Sequence, residues 1–275
     1  MRLCPACAKE RPDFDTPCPA CGHQVMRRGG IAVLAPELAG EGQGFKTESF
    51  AELYASEASS FWFQGRNDIL SWVIGRFVRP RARFLEIGCG TGFVLSRLKR
   101  DFPDTALTGS ELFDTGLGYA RQRLPGVELL QMDARALPYA SEFDGIGAFD
   151  VLEHIAEDER VLSELHRALR PGGHVVLSVP QHPALWSLAD EIACHERRYS
   201  RGELEGKLRR AGFEVVMSTS FVFILLPVMF AVRTSDRSRR ALEKASDGPV
   251  LVISGAAGMG IQDTLRAIYA QIQGA

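Results

Sequence analysis

Between residues 83 and 179, short apolar runs alternate with stretches whose apolar positions recur every three to four residues. The runs at 83–87, 106–110, 127–131, 143–149 and 174–179 predict strands, and the periodic stretches at 92–100, 114–124 and 156–169 predict helices between them. Pro171-Gly172-Gly173 marks the turn into the last run. Such an alternation builds an α/β fold, a mostly parallel sheet with helices on both faces. Two helical patterns precede it, at 48–58 and 66–78, the second with Ile69, Leu70, Trp72, Val73, Ile74, Phe77 and Val78 on one broad face; Phe61-Trp62-Phe63 lies between them. A further helix at 201–211 ends at Gly212 as a glycine-capped helix does, and a strand is expected from Phe213. A last antiparallel strand is expected at 250–254 and a terminal helix at 261–272.

The chain before residue 45 lacks this rhythm. Cysteines stand at 4, 7, 18 and 21, as Cys4-Pro5-Ala6-Cys7 and Cys18-Pro19-Ala20-Cys21. Two residues between thiolates let one tight turn aim both sulfurs at a single cation, and two such turns complete a tetrahedral shell. Gly22 suits the second turn. Zinc held by Cys4, Cys7, Cys18 and Cys21 is the expectation, with iron in the same cage, two disulfides or a chance spacing as the rivals. Four protein thiolates leave no open coordination position, so the ion's role is structural. The opening residues lack the apolar run of a secretory signal, which favours a reducing, cytoplasmic compartment and hence metal over disulfides. The Ala-, Gly- and Glu-rich stretch at 31–44 reads as a linker between a zinc ribbon at 1–30 and a main domain at 45–275.

The first strand of the main domain runs into Glu86-Ile87-Gly88-Cys89-Gly90-Thr91-Gly92. Alternate glycines let the backbone pass close to a ligand. The dinucleotide pattern wants a third glycine where Phe93 stands, and the carboxylate of Glu86 would repel a pyrophosphate. It would tolerate a ligand whose near end carries an ammonium and a sulfonium. Glu111 directly follows the second strand and Asp133 the third, so both fall on the same sheet edge as the loop.

Taken together, Leu85 to Gly92, Asp150-Val151-Leu152-Glu153-His154 and Leu169-Arg170-Pro171-Gly172-Gly173 resemble the motifs of class I S-adenosylmethionine-dependent methyltransferases, over roughly residues 45–221. The likeness is strongest to the ubiquinone-biosynthesis O-methyltransferase branch. Phe61-Trp62-Phe63 with Arg66-Asn67, and the segments 180–183 and 195–199, are similar to a bacterial subgroup with an N-terminal zinc ribbon. The resemblance implies a Rossmann-like fold with a seven-stranded sheet. It implies S-adenosylmethionine as cofactor, with Glu86, Gly88, Gly90 and Gly92 at its methionine end, Glu111 at the ribose hydroxyls, Asp133 and the backbone of Ala134 at the adenine edge, and Asp150 beside them.

Methyl transfer is an in-line displacement, so the protein chiefly supplies alignment and a dry site. A base matters only where the acceptor must lose a proton, and His154, just past the fourth strand, is the candidate, with His182 and His195 in the segment expected to wall the same pocket. A packing or capping histidine is the rival reading. The formal charge of −2 supplies no global field for a polyanion, so nucleic acid is a disfavoured partner and a small-molecule acceptor is expected. The stretch 221–232 is apolar but shorter than a membrane span and contains Pro227; the basic 233–240 follows it. A core-facing element with a solvated charged face is favoured over peripheral membrane contact through 221–240. In the second case the acceptor would be lipid-like. A ribosomal-RNA methyltransferase and a non-catalytic cofactor-binding module, whose zinc ribbon docks a protein, stay open as alternatives.

Overall fold

The computed structural model describes residues 1–38 and 47–221. Its strands are β1 (Arg2–Leu3), β2 (Glu10–Arg11), β3 (Met26–Arg28), β4 (Ile31–Val33), β5 (Arg83–Ile87), β6 (Ala106–Glu111), β7 (Glu128–Gln131), β8 (Phe143–Phe149) and β9 (Leu169–Ser178). The α-helices are α1 (Ser49–Ser56), α2 (Phe61–Phe77), α3 (Phe93–Asp101), α4 (Asp114–Arg123), α5 (Asp158–Ala168), α6 (Leu188–Ile192) and α7 (Arg201–Arg210). The main unit comprises Met1–Pro183 and Ile192–Ser218; Ala184–Glu191 belongs to a second unit, in which the backbone and hydroxyl of Ser187 both donate to Asp190.

In the main sheet the order is β3-β4-β7-β6-β5-β8-β9, parallel throughout except for the antiparallel β3–β4 hairpin. The chain leaves β5 toward β6 and β7 on one side and later fills β8 and β9 on the other, so the order reverses between β5 and β8. Ligand crevices of doubly wound sheets open at the carboxyl ends of strands at such a point.

Both faces of the sheet are buried, as a parallel sheet requires. Alternation along β5 sends Leu85 and Ile87 to one side and Phe84 to the other. The first side packs against Val161, Leu162, Leu165 and Ala168, the apolar stripe of α5, all fully buried. The second packs against Leu70 and Ile74 of α2, Val94, Leu95 and Leu98 of α3, and Leu117 and Ala120 of α4. At α7 the sequence Ser200-Arg201-Gly202-Glu203 sets the start: the Ser200 hydroxyl accepts from the Glu203 amide, and Gly212 closes the helix at φ 96°.

Three features differ from expectation. First, Ile31–Val33, which reads as connector, is β4: Ala32 and Val33 pair with Leu130 and Gln131 of β7. Its apolar residues find a strand edge to cover, and a strand pair outweighs a linker-like composition. The N-terminal segment is further fastened where Phe14 packs edge-on to Tyr139, with ring centroids 5.9 Å apart, and the Leu3 amide donates to the Pro138 carbonyl. Second, Phe61-Trp62-Phe63 is the first turn of α2 instead of the space before it. Third, residues 213–218 pair with no strand among the described residues, and Val216 and Met217 are exposed.

The sheet thus reaches seven strands through the N-terminal hairpin. The segment 221–245, apart from residue 221, the strand at 250–254, the helix at 261–272 and residues 39–44 of the expected linker lie outside the described residues. No described helix is long and apolar enough to cross a membrane.

Candidate functional site

The N-terminal cysteines meet in two turns of the same construction. The amide of Ala8 donates to the carbonyl of Cys4 and that of Cys4 to Lys9; the amide of Gly22 donates to Cys18 and that of Cys18 to His23. Ala8 and Gly22 both have positive φ, 57° and 74°, so each turn curls back in the same way. The sulfurs stand 3.7 Å apart for Cys4 and Cys21 and 3.8 Å for Cys7 and Cys18, and all four lie within 4.8 Å of one another. A tetrahedron of thiolates bound at 2.3 Å separates its sulfurs by about 3.8 Å, so the cage fits zinc and its pairs are far too long for disulfides.

The glycine loop leaves β5 with Gly88, Gly90 and Gly92 all left-handed, at φ 63°, 53° and 76°. Their reasons differ. A Cβ on Gly88 would stand 2.5 Å from Cγ2 of Val151, and one on Gly92 would stand 2.6 Å from Cδ1 of Leu124. Both positions are therefore filled by the protein's own packing. A Cβ on Gly90 would meet only Phe50, at 3.7 Å. Gly90 is the glycine with room beside it, and its amide donates to Oε2 of Glu111 at 3.0 Å.

Acidic groups gather along the same sheet edge. Glu111, at the end of β6, is buried; its Oε1 accepts from the amides of Leu112 (2.7 Å) and Phe113 (3.2 Å). Burial raises its carboxyl above the usual range against these three amide contacts. Glu86, inside β5, is 2% exposed, and its Oε2 has no hydrogen-bond partner among the described residues. Its carboxyl is pushed well above the ordinary value, chiefly by burial; Arg66 opposes the shift, and Glu111 and Glu57 add to it. Asp133, just past β7, accepts from the amide of Arg135 at 2.9 Å and pairs with its guanidinium, which also reaches Glu157. Ala134 beside it is buried.

Asp150 ends β8 in a left-handed conformation, φ 58°, an uncommon state for a residue with a Cβ. It is over-determined: its amide donates to Ser178 O, its Oδ1 accepts from the Ser178 hydroxyl at 2.9 Å, and its Oδ2 pairs with Arg66 at 2.6 Å. Strain held by surrounding structure is a mark of functional sites. Beyond it, the 3-10 turn Leu152–His154 carries Glu153 and His154, and the ring of His154 meets that of His195 edge-on, centroids 4.8 Å apart. Burial first, and His195 second, hold the His154 imidazole down at about 4. His182, at φ 65°, donates its amide to Tyr199 O, and its side chain is not part of this His154–His195 group.

The structure therefore brings Glu86, Gly90, Glu111 and Asp150 to neighbouring strand ends, as sequence reasoning proposes, and joins His195 to His154. What sequence reasoning missed is a clamp beneath the loop. Glu57 accepts from the Thr91 hydroxyl, and Arg123 donates to Glu57 and to Thr91, all within 2.8 Å; the Arg123 guanidinium also lies over the rings of Tyr54 and Phe93. These partners lie 32 to 66 positions apart in the chain, so no local pattern signals them.

Residues 85–177 match the family described as a methyltransferase domain. Trans-aconitate 2-methyltransferase of Azoarcus sp. strain BH72 is 35% identical over 101 residues, 37% of this chain and 40% of that protein. Phthiotriol/phenolphthiotriol dimycocerosates methyltransferase 1 of Mycobacterium ulcerans is 31% identical over 162 residues, 57% of this chain and 59% of that protein. The chain thus spans about half the length of these curated relatives. Phosphoethanolamine N-methyltransferase 2 of Haemonchus contortus, solved with phosphomonomethylethanolamine and S-adenosylhomocysteine, superposes with a TM-score of 0.55 at 19% identity, covering 73% of this chain and 49% of that one. At that identity the likeness is one of fold.

Proposed function

We propose that the chain, whose residues 85–177 match a methyltransferase domain, is a class I S-adenosylmethionine-dependent methyltransferase that methylates a small-molecule or lipid-like acceptor at oxygen or carbon. The observation that carries this reading is the buried, unpartnered oxygen of Glu86 in the strand that leads into the glycine loop, whose Gly90 has room beside it. A buried carboxyl without a partner is costly, and a cationic ligand end offsets that cost. The row of acids at the strand ends suits the same cationic ligand and disfavours a pyrophosphate.

On this reading Glu86 and the loop of Gly88, Gly90 and Gly92 hold the methionine end, and Asp150 closes the site beside them. Glu111 takes the ribose hydroxyls with the acceptor capacity left beyond its three amide contacts. Asp133 and the amide of Ala134 take the adenine edge. S-adenosylmethionine supplies an electrophilic methyl group on a neutral leaving sulfide. The chain's part is to align the acceptor and exclude water. His154 faces the acceptor side and stays neutral above about pH 5, so it can accept a proton; held near 4, it is a weak base and serves better to orient an acceptor hydroxyl than to ionise it. The relatives' names span a small acid and a long-chain lipid, which is the range proposed for the acceptor here. Cys4, Cys7, Cys18 and Cys21 hold a structural zinc ion.

Calorimetric titration of the zinc-loaded protein with S-adenosylmethionine tests the reading. Saturable binding, weakened at least tenfold in Glu111→Ala and Asp133→Ala, is expected. A folded wild type that does not bind the compound would overturn it.

A further inference from the structure

Among the described residues, Glu153 is the one side chain with two buried, unsatisfied polar atoms. Its side chain is fully buried, and neither carboxylate oxygen has a hydrogen-bond partner among the described residues. Buried polar atoms are almost always satisfied, so an acid with both oxygens unsatisfied calls for a partner that protein atoms do not supply. Two imidazoles stand beside it. One ligand atom from each of Glu153, His154 and His195 can be chosen so that all three lie within 4.8 Å of one another. Ligands bound tetrahedrally at 2.0–2.2 Å to one ion stand roughly 3.3 to 3.6 Å apart, so shifts of about an ångström bring this set into coordination range.

The arrangement is braced. His195 is far from His154 in sequence, and the segment that carries it is tied down at successive residues. The Glu196 amide donates to the Glu153 carbonyl at 2.6 Å. The Arg197 guanidinium donates to the carbonyls of Ile155 and Ala156, at 2.6 and 3.0 Å. The Tyr199 hydroxyl donates to Asp158 at 2.6 Å, deep in the core. These bonds fix the chain just after His195 against the turn that holds Glu153 and His154. Of the cations nearby, Arg66 is paired with Asp150 and Arg198 donates to the Gln181 carbonyl at 2.8 Å; neither donates to the Glu153 carboxylate.

We propose that Glu153, His154 and His195 form a second metal site, separate from the cysteine cage, for a divalent first-row transition ion. Two imidazoles and one carboxylate suit zinc, iron, cobalt or manganese better than magnesium or calcium, which prefer all-oxygen shells. Three protein ligands leave coordination positions open, unlike the closed tetrathiolate. The site lies just past the end of β8, next to Asp150. If the proposed methyl transfer is right, an acceptor oxygen can take an open position, where the ion both orients it and makes its proton easier to lose to solvent. His154 then acts as a ligand, not as a base. This consequence rests on the proposed function; the site itself does not.

The test is a titration of the full, zinc-loaded chain with cobalt(II) alone. The expected result is weak visible absorption from nitrogen and oxygen ligation that saturates at one equivalent. Sulfur-to-metal bands in the near ultraviolet report any exchange into the cysteine cage. Cobalt affinity should fall at least tenfold in both His195→Asn and Glu153→Gln. Calorimetry with S-adenosylmethionine, run on the same samples, shows that the variants are folded and tests the proposed function on its own. A wild type that binds S-adenosylmethionine but takes up no cobalt outside the cage at millimolar concentration overturns the site. So does uptake that is undiminished in both variants. Cobalt uptake lost in the variants, in a wild type that binds no S-adenosylmethionine, keeps the site and removes the methyl-transfer reading.

Discussion

Alanine at position 90 and alanine at position 88 put the same methyl group on left-handed backbone two residues apart, and they should do different damage. Each pays the strain of an L side chain at positive φ, about 1–2 kcal/mol. At Gly88 the new Cβ falls 2.5 Å from Val151 Cγ2, so Val151 must move at the point where β8 delivers Asp150. Overpacking of that kind adds roughly 1–3 kcal/mol. At Gly90 the nearest atom is Phe50 Cε1 at 3.7 Å, an ordinary contact with no packing cost. In thermal unfolding, Gly90→Ala should therefore lower Tm by about 2–8 °C and Gly88→Ala by roughly twice that. S-adenosylmethionine affinity should reverse the order once expressed per degree of lost stability. The Gly90 methyl occupies the open side of the loop, so Gly90→Ala should weaken binding at least tenfold in a protein that remains folded. Calorimetry at a temperature where both variants are fully folded makes the comparison. Wild-type affinity in Gly90→Ala would refute the reasoning, because the cofactor could not then run past that residue.

Four other outcomes follow from the geometry. Glu86 has a folded-state value above its unfolded one, so its contribution to stability is full below the ordinary carboxyl range and is lost as pH rises through the folded value. Glu86→Gln should accordingly unfold at higher temperature than wild type at pH 8, while binding S-adenosylmethionine about 10 to 100 times more weakly. In wild type that affinity should rise with pH as Glu86 ionises, which calorimetry across a pH series would show. Arg123→Ala leaves Glu57 buried without its cation and should cost about 3–5 kcal/mol in denaturant unfolding, with Glu57→Gln/Arg123→Met recovering much of the loss. Chelation, or Cys18→Ser, should release one zinc per chain by elemental analysis and lower Tm by more than about 5 °C.

The βα rhythm from 83 to 179 is legible because each element buries one face and the sequence records it as period. The cysteine cage is legible because both halves are local. Its attachment to the sheet is not: β4 pairs with β7 about a hundred positions away through only two residues, Ala32 and Val33, set in a Gly- and Ala-rich stretch. Strand β9 begins earlier than the apolar run suggests because Leu169 pairs with Phe143 across a register shift, and Pro171 and Gly172 are carried inside it. The acids at the strand ends could be placed from topology alone. That Glu86 and Glu153 are unsatisfied, while Glu111 is not, depends on which amides and side chains the chain brings back to each, and spacing does not encode that.

The β3–β4 hairpin has a consequence for anyone seeking to trim this protein. Among the described residues β3 is the outermost strand on its side of the sheet, and its residues Met26, Arg27 and Arg28 are all exposed, with Arg27 and Arg28 engaged by Asp15 and Asp114. Charged side chains on a short outer strand discourage the docking of a second sheet. Cutting the chain near residue 45 would expose β7 in its place, with the buried Leu129, Leu130 and Gln131 along a bare ladder. The shortened protein would then offer a sticky border to its own copies, and light scattering of the truncated chain should show association that the full chain lacks.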